Sequence, residues 1–510
     1  TSEGGVHVEE VFKIVRDAVK NILEKAIAGI RFTKSDVEKH ISIILSCTLD
    51  KPKYKTQSKD YLTSPTPKFE IPAETLSKIS KWDLVKVVHE DVMSKQLNKL
   101  SKTDGNRKQK RIYDKENLFE SNWAGKANKA KTTLIIFEGK SAKGYSDFLM
   151  DCIPNGQGKD LFGRLCLHGK LLNILNADFD KLYKNRDISL IKSALGLQEK
   201  IDYYQLTDIA HLRYGSVLLA PDADNDGIHI AGLLLVFFCI KFPGLVYHGK
   251  IFLLRTPVVR ATHKKTGEYK EFLNEAMFIL WAESNDTSKW EIKYYKGLGT
   301  SELEDVKKDV ENPHYIRFQL DEEGIRKIAM AFHQKIPHEE RKKWFYNWMK
   351  EEVLDMGTIK ELPVATFVDK ELPLYVVESI YRAIPDVFDG LKESQRKIIF
   401  AATKELKTLK SKMKVAELAD YVSHITCYKH GSKALCDAVV HMGLHFIGTN
   451  NMPYLVGHGS FGSNDSGIGG VAQPRYVSVS LSWWLSYVYK KEDNILLTHV
   501  EDEGKKREYE

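Results

Sequence analysis

The sequence predicts a multidomain α/β plus α+β protein built around a parallel sheet. Three observations carry this. Short apolar runs at 132–138 and 216–221 end in acidic or glycine residues, as buried parallel strands do. Helix-like stretches separate these runs from two others near 164–168 and 250–255, the alternation of a parallel α/β sheet. From about residue 370 the apolar period becomes helical and leads into a glycine-rich tail at 457–470. At roughly 100–200 residues per domain, 510 residues make three or four domains.

Taken in order, residues 1–63 hold an amphipathic helix (Val8, Phe12, Val15, Val19, Ile22, Leu23) and a strand-like run from Ile41 to Leu45. Pro65, Pro67 and Pro72 punctuate the exit into a basic, helical connector at 64–130. Residues 131–260 hold the sheet, and 261–345 read as its extension. Within 346–490, apolar residues recur at i, i+3, i+4 and i+7 in Val377, Ile380, Tyr381 and Ile384. The same spacing begins at Val415, Leu418, Ala419 and Val422, and at Leu435, Ala438, Val439 and Met442. Three short amphipathic helices with Gly- and Pro-marked turns fit a helix-turn-helix module. Residues 491–510 are charged and open another domain.

Composition excludes several classes. The net charge is +7, from 76 basic and 69 acidic residues, and 43% of residues are hydrophobic. Six cysteines without a CxxC pair point to a reducing compartment and to small core residues rather than a disulfide framework. The longest apolar run, Ile230 to Ile240, is too short to span a bilayer, and no membrane partner is expected. Basic residues gather at Lys102, Arg107, Lys108, Lys110, Arg111 and Lys115, and again at Lys404, Lys407, Lys410, Lys412 and Lys414. Beside phosphate chemistry such faces are the electrostatic footprint of DNA.

The chemistry concentrates at Asp222-Ala223-Asp224-Asn225-Asp226-Gly227. Three alternating carboxylates leaving a strand repel one another unless a cation sits among them. An EF-hand loop starts alike, but its twelfth position needs a Glu and here is Leu233. Glu138 ends the 132–138 run and is followed by Gly139, which permits a sharp turn, and Ser141, a candidate helix N-cap. Glu138 and the three aspartates on neighbouring strand ends would hold one Mg²⁺ or share two, which suits work on phosphates.

These motifs resemble the metal site of a TOPRIM domain, a parallel, Rossmann-like sheet. Other segments narrow the resemblance to type IIA DNA topoisomerases, in their single-chain eukaryotic-type form. Leu167-His168-Gly169-Lys170-Leu171-Leu172-Asn173 resembles RGKxLN, with His168 where Arg is usual, and residues 293–300 resemble KYYKGLGT. Residues 382–397 resemble RAIPDxxDGLKPxQRK, the start of a winged-helix domain. Tyr428-Lys429-His430-Gly431 resembles a Y-H-H-G turn. Gly457–Gly462 followed by Gln473-Pro474-Arg475-Tyr476 resembles the segment that ends in the family's nucleophilic tyrosine. Gly4-Gly5-Val6-His7 and Gln57-Ser58-Lys59 resemble the end of an ATPase transducer domain, with Ser58 for Thr. Lys140 stands where the family has an acid, and Gln473 and Pro474 replace small residues. Those departures, with E-G-K-S-A-K-G-Y at 138–145, suggest a large DNA virus as the source.

The resemblance implies an ATP-dependent type II topoisomerase acting as a homodimer on double-stranded DNA. Tyr476 would form a 5′-phosphotyrosyl link, with Arg475, His430 and Arg396 stabilising the reacting phosphate. A phenol is mostly protonated at neutral pH and needs such help. Glu138, Asp222, Asp224 and Asp226 would hold Mg²⁺, for which Mn²⁺ or Ca²⁺ could substitute. Lys170, Lys296 and Lys397 would contact DNA, and Gln57 and Lys59 would reach ATP. The family places tyrosine and metal site on different protomers, and its action is intracellular, in the nucleus or a viral replication compartment in the cytoplasm. The nucleotide-binding half of the ATPase and the exit gate are not recognisable, so the chain reads as an internal piece of a longer protein. Two alternatives are a TOPRIM nuclease or primase, which would leave free 5′ ends, and a non-catalytic DNA-binding protein, indifferent to Mg²⁺.

Overall fold

Four strands, Thr133–Phe137, Phe162–Cys166, Ser216–Ala220 and Ile251–Leu254, stand where the apolar runs put them. They belong to a computed structural model that describes residues 4–26, 33–55, 59–104, 116–273, 275–295, 297–349, 357–426, 428, 430–496, 499–502 and 505–508. Gln57, Lys296, Cys427, Lys429 and the basic residues from Arg107 to Lys115 lie outside the described residues. The chain divides into two units, one of residues 1–291 and 295–373 and one of 292–294 and 374–510.

The first unit is built on a seven-stranded sheet. From edge to edge its strands are Glu361–Pro363, Tyr315–Gln319, Ile251–Leu254, Ser216–Ala220, Thr133–Phe137, Phe162–Cys166 and Leu118–Phe119. The central four are mutually parallel. The sheet is nevertheless mixed rather than purely parallel, because 315–319 and 118–119 pair antiparallel to their neighbours. These added strands are too short, or too polar on one face, to show in the sequence as buried runs. Phe137 lies opposite Ala220, so Glu138 and Asp222 leave adjacent strands at the same edge, where α/β sheets place ligands.

Both faces of these strands are covered, which explains their unbroken apolar runs. Ile135, Phe137, Leu218 and Ala220 pack with Ala142, Tyr145, Leu149 and Val306, which come from the helices Lys143–Cys152 and Leu303–Glu311 and the turn before the first. Leu134, Ile136, Val217 and Leu219 alternate to the other face and are equally buried. Each such side chain stabilises the fold by about 1.5–3 kcal/mol. The helix Asn225–Lys241 is buried along nearly its whole length.

Some expectations fail in instructive ways. Ile41–Leu45 forms no strand, and Ile44 is wholly exposed; alternation without a pairing edge makes no sheet. The amphipathic helix before it is real, spans Val6–Ala26 and buries Val15 and Val19. Ser141 is not an N-cap: it lies inside a short turn, Lys140–Ala142, and Ala142 occupies the cap position of the next helix. Gly139 has extended backbone, with φ of −165°, so the turn there does not require glycine. Cys166, Cys239 and Cys436 are buried as expected of small core residues, whereas Cys47 is exposed.

The second unit packs the helices Glu393–Glu405, Val415–Ile425 and Ser432–Gly443 around one core. Against that core lies a small antiparallel sheet, in the order Met413–Lys414, Ser478–Leu481, Leu455–His458. A hairpin, Phe461–Ser463 with Gly467–Val471, follows. Gly462 sits at φ +81° there, a conformation that favours glycine. The helix Leu372–Ala383 also forms, but Ile380, Tyr381 and Ile384 are exposed. The third core helix is instead Glu393–Glu405, contributing Ile398, Ile399, Ala401 and Ala402.

Candidate functional site

In the first unit the chemistry gathers at the C-terminal edge of the sheet. The Glu138 carboxylate is pushed up to about 7 by burial and by the charges of Asp222, Asp224 and Asp226. Its Oε2 is shielded from solvent and meets no hydrogen-bond donor. A carboxylate held this way costs energy when ionised unless a cation compensates it.

The aspartates are each engaged. Asp222 Oδ1 accepts the Leu298 N–H at 2.8 Å. Asp224 caps the helix Asn225–Lys241 by accepting the Gly227 N–H at 2.8 Å. Asp226 Oδ1 pairs with Lys170 Nζ at 2.6 Å. Among the described residues no three His, Cys, Asp or Glu side chains are arranged as a ready metal cage. The four carboxylates therefore fit a cation by charge and by the unmet oxygen of Glu138, rather than by a preformed cage.

The Leu298 contact is one that sequence reasoning misses. Residues 297–299 lie directly on the acidic edge: a Cβ on Gly297 would come within 2.8 Å of the Asp222 carboxylate, and one on Gly299 within 3.1 Å of the Ser141 carbonyl. The glycines of the KGLG segment are the available signal, since close backbone approach excludes a side chain. Beside this edge, His168 Nδ1 meets Asp187 Oδ1 at 2.6 Å and its Nε2 meets Asn117 at 3.1 Å. Lys140 is drawn to Glu116, 2.8 Å away. Lys59 is exposed, at φ +59°, with its Nζ 6.0 Å from the Tyr54 ring centre.

In the second unit Tyr476 is 68% exposed. The residues around it are fixed: Val477 is buried and accepts the Val415 N–H through its carbonyl at 3.0 Å, and the Pro474 carbonyl accepts from Ala416 at 3.3 Å. The Arg475 guanidinium lies 4.8 Å from the Tyr476 ring centre. The His430 ring stands edge-on to Tyr428 and its Nδ1 is 3.5 Å from Arg382 Nη1. Arg396 forms a two-pronged pair with Asp389, at 2.7 and 3.0 Å, which holds the Asp389 carboxyl below the usual range. Lys397, expected to face DNA, is buried and bonds Glu393 at 2.6 Å.

Known proteins align with this chain throughout. Residues 1–117 match the family "DNA gyrase B", 254–380 the "C-terminal associated domain of TOPRIM", and 382–510 the "DNA gyrase/topoisomerase IV" family. DNA topoisomerase 2 of Saccharomyces cerevisiae is 33% identical over 99% of the chain and 35% of that protein. DNA topoisomerase 2 of Invertebrate iridescent virus 6 is 32% identical over 98% of the chain and 46% of that protein. Cellular and viral relatives thus stand at the same distance, and the chain spans between a third and a half of their length. The crystal structure of the Plasmodium falciparum topoisomerase II DNA-binding, cleavage and re-ligation domain superposes with a TM-score of 0.65 at 32% identity, over 79% of this chain and 54% of that one. Motifs, sheet and full-length similarity agree: the chain belongs to the type IIA DNA topoisomerase family.

Proposed function

We propose that this chain is the DNA cleavage and religation part of an ATP-dependent type II topoisomerase that works as a homodimer on double-stranded DNA. The observation that carries the reading is Tyr476, an exposed phenol on an anchored loop with a guanidinium beside its ring. The Tyr476 oxygen attacks a backbone phosphorus. A phosphotyrosyl bond forms, the bond to the 3′ oxygen breaks, the phenolic proton passes to solvent and the 3′ oxygen takes one up. Arg475, His430 and Arg396 donate to the phosphate oxygens as charge builds there. Religation is the reverse, since the phosphodiester is exchanged rather than hydrolysed.

Glu138, Asp222, Asp224 and Asp226 would hold Mg²⁺, or Mn²⁺ or Ca²⁺ in its place. Bound there, the ion supplies positive charge to the departing oxygen. Lys170, which pairs with Asp226, would turn to phosphate when a cation takes over that aspartate. Residues 346–490 would be the winged-helix domain and 131–345 the TOPRIM region with its extension. Residues 1–63 would close an ATP-binding transducer through Gln57 and Lys59. The site of action would be wherever the DNA is kept, nucleus or viral compartment. Detergent quenching of a DNA reaction with Mg²⁺ tests this: protein joined to 5′ ends is expected, and free 5′ ends without adduct overturn it.

A further inference from the structure

Behind the acidic edge lies a buried charged network that the proposed reaction does not use. Arg260 is 3% exposed. It pairs with Glu271, with Asp305 at 3.1 Å and with Asp309 at 2.9 Å. Tyr295 is buried, and its hydroxyl donates to Asp305 Oδ1 at 2.6 Å. Tyr145 donates to Asp309 at 3.1 Å. Burying these groups is costly, and a buried ionic network is weak evidence for stability. Its position suggests another use.

Asp305 holds both ends of the segment that touches Asp222. Its Oδ1 takes the Tyr295 hydroxyl on one side, and its Oδ2 takes the Glu302 backbone N–H at 3.0 Å on the other. Between these anchors lie residues 297–301, a short turn closed by Thr300 and Ser301 N–H bonds to Gly297 and Leu298. Leu298 is buried in the core beneath the acidic edge, and its N–H fixes one oxygen of Asp222. The path is contiguous: Arg260 orients Asp305, Asp305 clamps the turn, and the turn orients Asp222.

Resting on the reading of Asp222 as a metal ligand, we propose that Tyr295 and Asp305, braced by Arg260, are positioning residues that set the Asp222 carboxylate for divalent-cation binding. Partners one step behind a ligand tune affinity by about 10–100-fold. Tyr295 stands further back, so Tyr295→Phe, which removes one hydroxyl and keeps the ring, should weaken Mn²⁺ binding about threefold to tenfold.

The test is a Mn²⁺ titration followed by electron paramagnetic resonance on the unaltered chain, Tyr295→Phe, Asp222→Asn and the double variant, each with a thermal melt. Weaker Mn²⁺ binding in Tyr295→Phe, with no further loss when it is added to Asp222→Asn, is the expected result, because the tyrosine acts only through the aspartate. Equal Mn²⁺ affinity in Tyr295→Phe and the unaltered chain, whatever the melting temperature, overturns the positioning role. So does a loss that simply adds to that of Asp222→Asn. An unaltered chain that binds no Mn²⁺ overturns the metal-site reading itself, a separate and recognisable failure.

Discussion

The two candidate sites are built on opposite terms. Glu138 and Asp222 hang from the ends of fully buried strands, with Phe137 and Ala220 at zero exposure, and a core-packed turn presses on Asp222. Tyr476 stands in solvent on a loop anchored only at its flanks. Core packing holds the carboxylates together against their own repulsion, so that site carries energetic strain which a cation would relieve. The tyrosine carries none, and its electrostatic surroundings are incomplete without a phosphate. Substitutions at the first site should therefore change both stability and chemistry, and those at the second should change chemistry alone.

The largest effect tests the second half of that contrast. Tyr476→Phe removes one exposed oxygen and no packing. Covalent DNA attachment should vanish in detergent-quenched reactions, while thermal stability stays within about 0.5 kcal/mol and duplex binding is nearly unchanged. Adducts persisting in this variant would move the nucleophile elsewhere.

Glu138→Gln tests the first half. It removes a hard anionic ligand and should raise the Mg²⁺ needed for cleavage by about tenfold or more, on the scale of metal-site perturbations. The metal-free variant should nonetheless melt higher than the unaltered chain at pH 8, because a buried like-charge repulsion is gone. A lower melting temperature at pH 8 would show that Glu138 is not strained.

The same carboxylate gives a pH signature. Its folded value, about 7, lies above its ordinary 4.5. Between those values the unfolded chain has shed a proton that the folded chain keeps, so metal-free stability falls as pH rises from about 4.5 to about 7, then levels. Mn²⁺ must displace that proton, so its apparent affinity should climb by up to about tenfold per unit below pH 7 and flatten above. A flat affinity between pH 5.5 and 8 would exclude Glu138 as a ligand.

Much of this contrast is legible in the sequence. The apolar runs at 132–138 and 216–221 locate the acidic edge, because a strand buried on both faces has no polar alternation to blur it. The edge strands 118–119 and 361–363 are not legible, since two or three residues carry no period. The stripe Ile380, Tyr381, Ile384 finds a real helix but the wrong core: periodicity marks a helix face, and only tertiary packing decides whether it is buried. The clamp of Asp305 on both sides of 297–301 is beyond reach, because it joins residues whose spacing has no local meaning. Lys397 misleads for a related reason: its charge suggests phosphate, while Glu393 one turn away in the same helix takes it.

Arg396 gives the smallest and sharpest test of the open character of the second site. Its guanidinium is engaged on two sides by Asp389, so a phosphate must compete with a carboxylate already in place. The pair is part-exposed, where salt bridges contribute little, and the competition should be close. Asp389→Asn removes the competing charge and keeps the shape. Duplex affinity should then rise a few-fold at low salt, and the dependence of log affinity on log salt should steepen by about one phosphate contact. An unchanged salt slope, with folding intact, would mean that Arg396 stays bound within the protein and does not reach DNA.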